Sequence, residues 1–273
     1  MKLEIYKTLW GHPGSLTSAL HLAREAHFHG IEAPAPADES TRETFFATLS
    51  NTPWIAEVTT CTPEGQYLPT PHLPPAAHLA SLEQKILHSL PGRPQFITTM
   101  AGSDEWDFPE TLQFHQAILD LEQKHQIPIS VETHRGRPTF NPWTTQKLLE
   151  KLPALRLTCD FSHWCVVTER LLLDEHPALL DLCAQHVHHI HARVGYAQGP
   201  QVPDPRAPEY TPELTAHLRW WRTLIAARQE PTTLTPEAGP DGYLHLAPYT
   251  QTPVADLWQI NRFIAQQITS SFP

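Results

Sequence analysis

The stretch LTCDFSHWCVV, residues 157–167, begins apolar and then sets Asp160 and His163 three residues apart. A second stretch, VHHIHARVG (187–195), carries His189, His191 and Arg193 at alternate positions, which puts them on one face of a strand. Two further apolar runs end in acid: SVETHRGR supplies Glu132 and His134, and LTPEAGP supplies Glu237. Carboxylates brought together without a cation repel one another and lose hydration. A divalent ion resolves that conflict, because three carboxylate oxygens and one imidazole leave coordination positions open for water or substrate. Glu132, Asp160, His191 and Glu237 are therefore the candidate metal ligands.

Something must bring these four together. The chain alternates short strand-like runs with amphipathic segments. Strands are expected near 3–10, 31–33, 54–60, 95–100, 128–133, 155–160, 187–193 and 232–237. Helices are expected over 15–30, 40–50, 76–90, 109–125, 144–152, 175–185, 212–228 and 254–268. Eight strand–helix pairs in 273 residues predict an α/β fold, a closed (β/α)8 TIM barrel forming a single domain over 1–273. An open doubly wound sheet would carry a Gly-rich phosphate turn after its first strand, and WGHPGS does not fit that pattern. In a barrel the chemistry sits at the carboxyl ends of the strands. The four candidate ligands fall at those ends on four successive strands, the fifth to the eighth.

Composition narrows the partners. The chain has 29 acidic against 19 basic residues and a formal net charge of −10. That balance disfavours sequence-independent nucleic-acid binding, which needs Lys and Arg to displace counterions. No apolar run approaches the roughly 18 residues of a membrane span. Residues 1–9 do not resemble a signal peptide. The four cysteines, Cys61, Cys159, Cys165 and Cys183, show no C-x-x-C spacing and read as reduced, small buried residues of a cytoplasmic protein.

In their order along the chain, the motifs VETH, DFSHW, HIHARVG and PEAGP resemble the xylose isomerase-like TIM-barrel superfamily. That group includes D-tagatose 3-epimerase, inosose dehydratase and, more distantly, endonuclease IV. The resemblance covers essentially the whole chain. It implies that Glu132, Asp160, His191 and Glu237 hold one divalent ion (Mn2+, Mg2+, Co2+ or Zn2+). It also implies that Glu132 and Glu237 flank a substrate carbon and move its proton, the ion having polarised the adjacent carbonyl and hydroxyl. His163 would then lie near the substrate rather than on the ion, with Arg193 bonding to substrate hydroxyls.

His134 and Trp164, just past strand ends, join them as candidate substrate contacts, as do Trp10, His12 and Trp143, since aromatic faces stack on sugar C–H bonds. The Pro-rich loop GYAQGPQVPDPRAPEY (195–210) is expected to lie over the barrel mouth as a stiff lid, with Asp204 and Arg206 near the site. Endonuclease IV-like enzymes carry Asp-x-His in that region; here the residues are DPR, which weakens a DNA-repair reading. The expected function is a metal-dependent isomerase or epimerase of a small sugar or sugar derivative. A polyol-ketone dehydratase, a phosphodiester hydrolase and a non-catalytic barrel are the alternatives. Arg135, Arg137, Arg193 and Arg206 leave a phosphorylated substrate open, and a homodimer is likewise open.

Overall fold

Eight short strands close into one ring in the computed structural model, which describes residues 3–63, 66–228 and 230–270. They are β1 (Leu3–Thr8), β2 (Gly30–Ala33), β3 (Trp54–Thr59), β4 (Ile97–Met100), β5 (Ile129–Glu132), β6 (Arg156–Cys159), β7 (Val187–Ala192) and β8 (Thr232–Pro236). Each is parallel to the next, and β8 pairs with β1 through Leu3–Thr232, Glu4–Thr233 and Ile5–Leu234. The outer layer comprises α1 (Leu16–Glu25), α2 (Glu39–Leu49), α3 (Pro75–Ser89), α4 (Phe108–His125) and α5 (Pro142–Lys151). Two short helices, α6 (Ser162–Thr168) and α7 (Leu172–Glu175), precede α8 (Pro177–His186), α9 (Thr211–Ala227) and α10 (Leu257–Thr269). The (β/α)8 barrel expected from the sequence is thus the observed fold. Among the described residues, no helix is long and apolar enough to cross a membrane.

Several helices start where side chains satisfy the open backbone N–H groups of the first turn. Ser15, Asp38 and Asp256 each accept from the residue three further on, and Asp107 with Glu110 forms a reciprocal capping box. The expected boundaries move at a few places. β1 stops at Thr8, whose hydroxyl accepts from the Trp10 N–H and turns the chain. The first helix ends at Glu25 instead of reaching residue 30, because His27 adopts a left-handed φ of 58°. Helices α6 and α7 add to the eight that periodicity predicts.

Period-two alternation divides the strands between two environments. Outward residues such as Ile31, Trp54, Ala56, Ile97, Val131, Leu157, Ile190 and Leu234 are buried against the helices and form the main core. Many of the inward residues are polar, while inward Ile55 packs with Tyr6 and Phe96 in a small separate cluster. Thr158 on β6 meets Thr98 of β4 at 2.7 Å and Ser130 of β5 at 2.8 Å, hydroxyl to hydroxyl. His189 on β7 meets Thr233 of β8 at 2.8 Å. Pairing between β6 and β7 shifts register at Leu157/Thr158, so His188 is passed over and His189 lies opposite Thr158. That bulge keeps His189 and His191 both pointing inward.

Several histidines lie away from this interior. Burial lowers His78, His115 and His217 from 6.5 to about 4 and His188 to about 3. They are neutral when folded and take up a proton more readily when unfolded, so their contribution is intact above pH 6.5 and is lost as pH falls toward 4. Each should remove about 1.4 kcal/mol of stability per pH unit across that window. Urea denaturation at several pH values should show this slope, and His115→Gln should flatten it by one proton's worth. A slope that ignores the substitution would contradict the assignment.

Candidate functional site

At the carboxyl end of the barrel, Glu132 closes β5, Asp160 follows β6, His191 lies within β7 and Glu237 follows β8. All four side chains are buried, and one ligand-type atom from each lies within 4.8 Å of the others. The Nδ1 atom of His191 is 3.4 Å from Glu132 Oε1 and 3.2 Å from Glu237 Oε2. Its other nitrogen, Nε2, is 2.8 Å from Oε1 of Glu32, which reaches across the barrel from β2. The second Glu32 oxygen lies 3.1 Å from His189 Nε2 and accepts the Thr235 hydroxyl. His191, not His189 or His188, therefore faces Glu132 and Glu237.

Charge explains the arrangement. Burial opposes ionising Glu32, but the two imidazoles outweigh it and hold this carboxyl well below the usual carboxylate range. Burial likewise opposes a charged His191, yet Glu237, Glu32 and Glu132 together hold its pKa well above the ordinary value. Burial lifts Glu132 and Asp160 upward. Glu32 anchors the Nε2–H, so any ion would be met by Nδ1. His191 Nδ1 and Glu237 Oε2 are buried with no hydrogen-bond partner. Unbonded polar atoms beside converging carboxylates are what a divalent cation satisfies, with the His191 Nδ1 proton displaced, so the residues present fit one.

Arg193, two residues beyond His191, inserts its guanidinium into this cluster. It bonds to Asp160 Oδ2, donates to His163 Nε2 at 2.9 Å and to Ser162 Oγ at 3.1 Å, and lies 3.4 Å from Glu237 Oε2. The other Asp160 oxygen accepts from the Ser162 N–H at 3.0 Å and its hydroxyl at 2.5 Å. An ion on Asp160 must therefore share Oδ2 with Arg193. The guanidinium also sits 4.7 Å over the Tyr243 ring and 5.6 Å over Trp10.

The candidate substrate contacts divide. His134, Arg193 and Trp10 line a cavity of about 510 Å3 that opens over Glu132 and Glu237. His163 is wholly buried, tilted against His134 with ring centroids 4.0 Å apart, bonded to Arg193 and 3.5 Å from Asp160 Oδ2, and it is not part of the cavity wall. Trp164 departs from expectation: α6 begins at Ser162 and turns it into the core, where it packs on Phe161 and donates to the Thr139 carbonyl. Arg206 departs too, pairing with Asp204 and bonding to Gln259 of α10. The expected lid is instead a brace. Gln201 in that loop both donates to and accepts from the Gly239 backbone, steadying the turn after Glu237. Trp143 is exposed, and His12 lines a separate cleft.

Aromatic side chains cover the mouth: Trp10, Phe45, Tyr67 and Tyr243. Glu57, on β3, also lines the cavity; burial, then Glu32, Glu237 and Glu132, push its carboxyl up to about 8. Glu32 and Glu57 are not among the residues expected from the sequence. The available signal was an acid inside an otherwise apolar strand, in GIEAP and in WIAEV.

No protein-family model and no curated protein matches the chain. Solved structures do match over nearly its whole length. A xylose isomerase-like TIM barrel protein from Mycobacterium smegmatis, in complex with magnesium, is 13% identical with a TM-score of 0.62, covering 99% of this chain and 98% of that one. The 3-keto-D-glucoside 4-epimerase YcjR from E. coli is 12% identical with a TM-score of 0.59, covering 98% and 100%. The probable 3-DHS dehydratase AsbF from Bacillus anthracis is 15% identical with a TM-score of 0.59, covering 98% and 99%. The chain shares the barrel fold of these proteins. Within that fold, removing Glu32 leaves two buried imidazoles without their carboxylate. Glu32→Ala should destabilise the protein by about 3–5 kcal/mol, the usual loss when one partner of a buried ion pair is deleted. Chemical denaturation measures it; a loss below 1 kcal/mol would show that the pair carries little weight.

Proposed function

We propose that the protein is a divalent-metal-dependent sugar isomerase or epimerase. The observation that carries this reading is the convergence of Glu132, Asp160, His191 and Glu237, with unbonded polar atoms, at the floor of a cavity. Such an ion, once bound, polarises a neighbouring carbonyl and hydroxyl and makes the C–H between them more acidic. Three oxygens and one imidazole suit Mn2+ or Mg2+, with Co2+ and Zn2+ also compatible.

The chain's own residues do the rest. Glu132 and Glu237 both line the cavity and approach His191 from different strands, so each can take or return a proton at a substrate carbon between them. Arg193 fixes Asp160, and Glu32 fixes the His191 ring, so the ligands are held before substrate arrives. Trp10, Tyr67 and Tyr243 exclude water and offer faces to the C–H side of a sugar. A small sugar, not a nucleic acid, is the partner that a net charge of −10 and this cavity suit. Loss of water from a polyol ketone is the second reading, favoured by Glu57, a carboxyl lining the cavity that burial and neighbouring glutamates push toward the protonated form that can serve a departing hydroxyl.

Glu132→Gln and Glu237→Gln should each lower exchange of the substrate α-proton by about 10^2–10^4-fold, the range for general acid–base groups, with the ion retained. His163→Ala should also retain the ion while weakening substrate use, because His163 lies outside the cluster of Glu132, Asp160, His191 and Glu237, bonded to Arg193 and 3.5 Å from Asp160 Oδ2. Metal analysis and deuterium uptake across a ketose panel test all three. Loss of the ion in His163→Ala, together with wild-type exchange in Glu132→Gln, would replace this reading with a multinuclear hydrolase. Appearance of an unsaturated product would select the dehydratase.

A further inference from the structure

Three features of the cavity are not used by the proton transfer just described. First, Glu57 lines it on the β3 side, and among the described residues its carboxyl makes no hydrogen bond or ion pair. Second, among the described residues Arg193 is the one arginine that lines the cavity. Arg193 is held by Asp160, and Arg206 by Asp204. Arg137 donates to the Thr60, Gly102 and Tyr67 carbonyls. Arg135 bonds to the Tyr67 hydroxyl and lies over the rings of Tyr67 and Tyr243. Third, the upper wall is aromatic, and about 510 Å3 is a volume that encloses molecules larger than one monosaccharide.

We propose that the cavity takes an uncharged sugar bearing an apolar substituent, a glycoside rather than a sugar phosphate, with Glu57 gripping one of its hydroxyls. This rests on the sugar reading above. The charge balance supports it. The carboxylates of Glu132, Asp160 and Glu237 balance Arg193 and one divalent ion, and Arg135 and Arg137 lie outside the cavity wall, so the wall itself offers no spare cation to a phosphate. A phosphate there would lose its hydration and face Glu57, without the forked arginine contacts that usually hold such groups. A hydroxyl suits Glu57 in either protonation state, since it both donates and accepts. An apolar aglycone gains by stacking on Trp10, Tyr67 and Tyr243, which a bare hexose covers only in part.

Titration calorimetry on the Mn2+-loaded protein tests the proposal, using D-glucose and D-galactose, their phenyl glycosides and their 6-phosphates. At least one phenyl glycoside should bind about tenfold or more tightly than its parent hexose, and the 6-phosphates should bind more weakly than either. Glu57→Gln should weaken the neutral ligands by about tenfold, as befits loss of a hydrogen bond to a charged or strongly polar group, with unchanged metal content. Trp10→Ala should erase the preference for the phenyl group. Tightest binding by a 6-phosphate, or neutral-sugar affinity indifferent to Glu57→Gln, would overturn the inference and leave the sugar reading standing. If no sugar of the panel binds while Mn2+ does, both fall together.

Discussion

One carboxylate reaching across the barrel holds the polar interior together. Glu32 on β2 faces His189 and His191 on β7, and all three are shut away from water. An isolated buried charge is expensive; a carboxylate bonded to two imidazoles and a hydroxyl is tolerable. The constraint propagates outward. Because Glu32 claims Nε2 of His191, Nδ1 is turned toward Glu132 and Glu237. Because those acids are then crowded, Arg193 is drawn onto Asp160 and Glu237. The geometry at the mouth is the visible end of a charge arrangement that begins several ångströms below it.

The barrel and the four-residue cluster were legible because each rests on a local pattern. Strand–helix alternation announces the fold, and an acid or imidazole at the end of an apolar run announces each ligand. Glu32 and Glu57 were harder to read because their partners are remote: Glu32 pairs with residues more than 150 positions away. A glutamate inside a four-residue strand looks like a defect until the opposite wall of the barrel is in view. Trp164 misled for the opposite reason. Its nearness to Asp160 in sequence suggested nearness to substrate, and a helix starting at Ser162 rotated it into the core.

The Pro-rich segment 195–210 shows how loop composition can be read correctly and its location wrongly. Its stiffness is real, with Tyr196 and Gly199 bridged and the Val202 N–H tied to the Val194 carbonyl. Yet it stands beside the mouth and supports the turn after β8 through Gln201 and Gly239. Gly239 could not be another residue there without displacement, since a Cβ would stand 1.9 Å from the Trp10 ring. One brace thus holds an aromatic wall of the cavity and the backbone leading from Glu237.

The division of these residues between the two halves of the chain bears on how the protein is made. The acids and histidine of the cluster all come from the last four strands, while Glu32 and Glu57 come from the first four. A ribosome therefore releases the compensating carboxylate early, long before the imidazoles it will neutralise. Until β7 is in place, Glu32 has water as its partner; once β7 is in place, the imidazoles need it at once. Ring closure at the β1–β8 seam and capture of the two histidines are then coupled steps, since either alone leaves a charge stranded. A half-barrel fragment would lack this electrostatic latch, and the chain has good reason to fold as a whole or not at all.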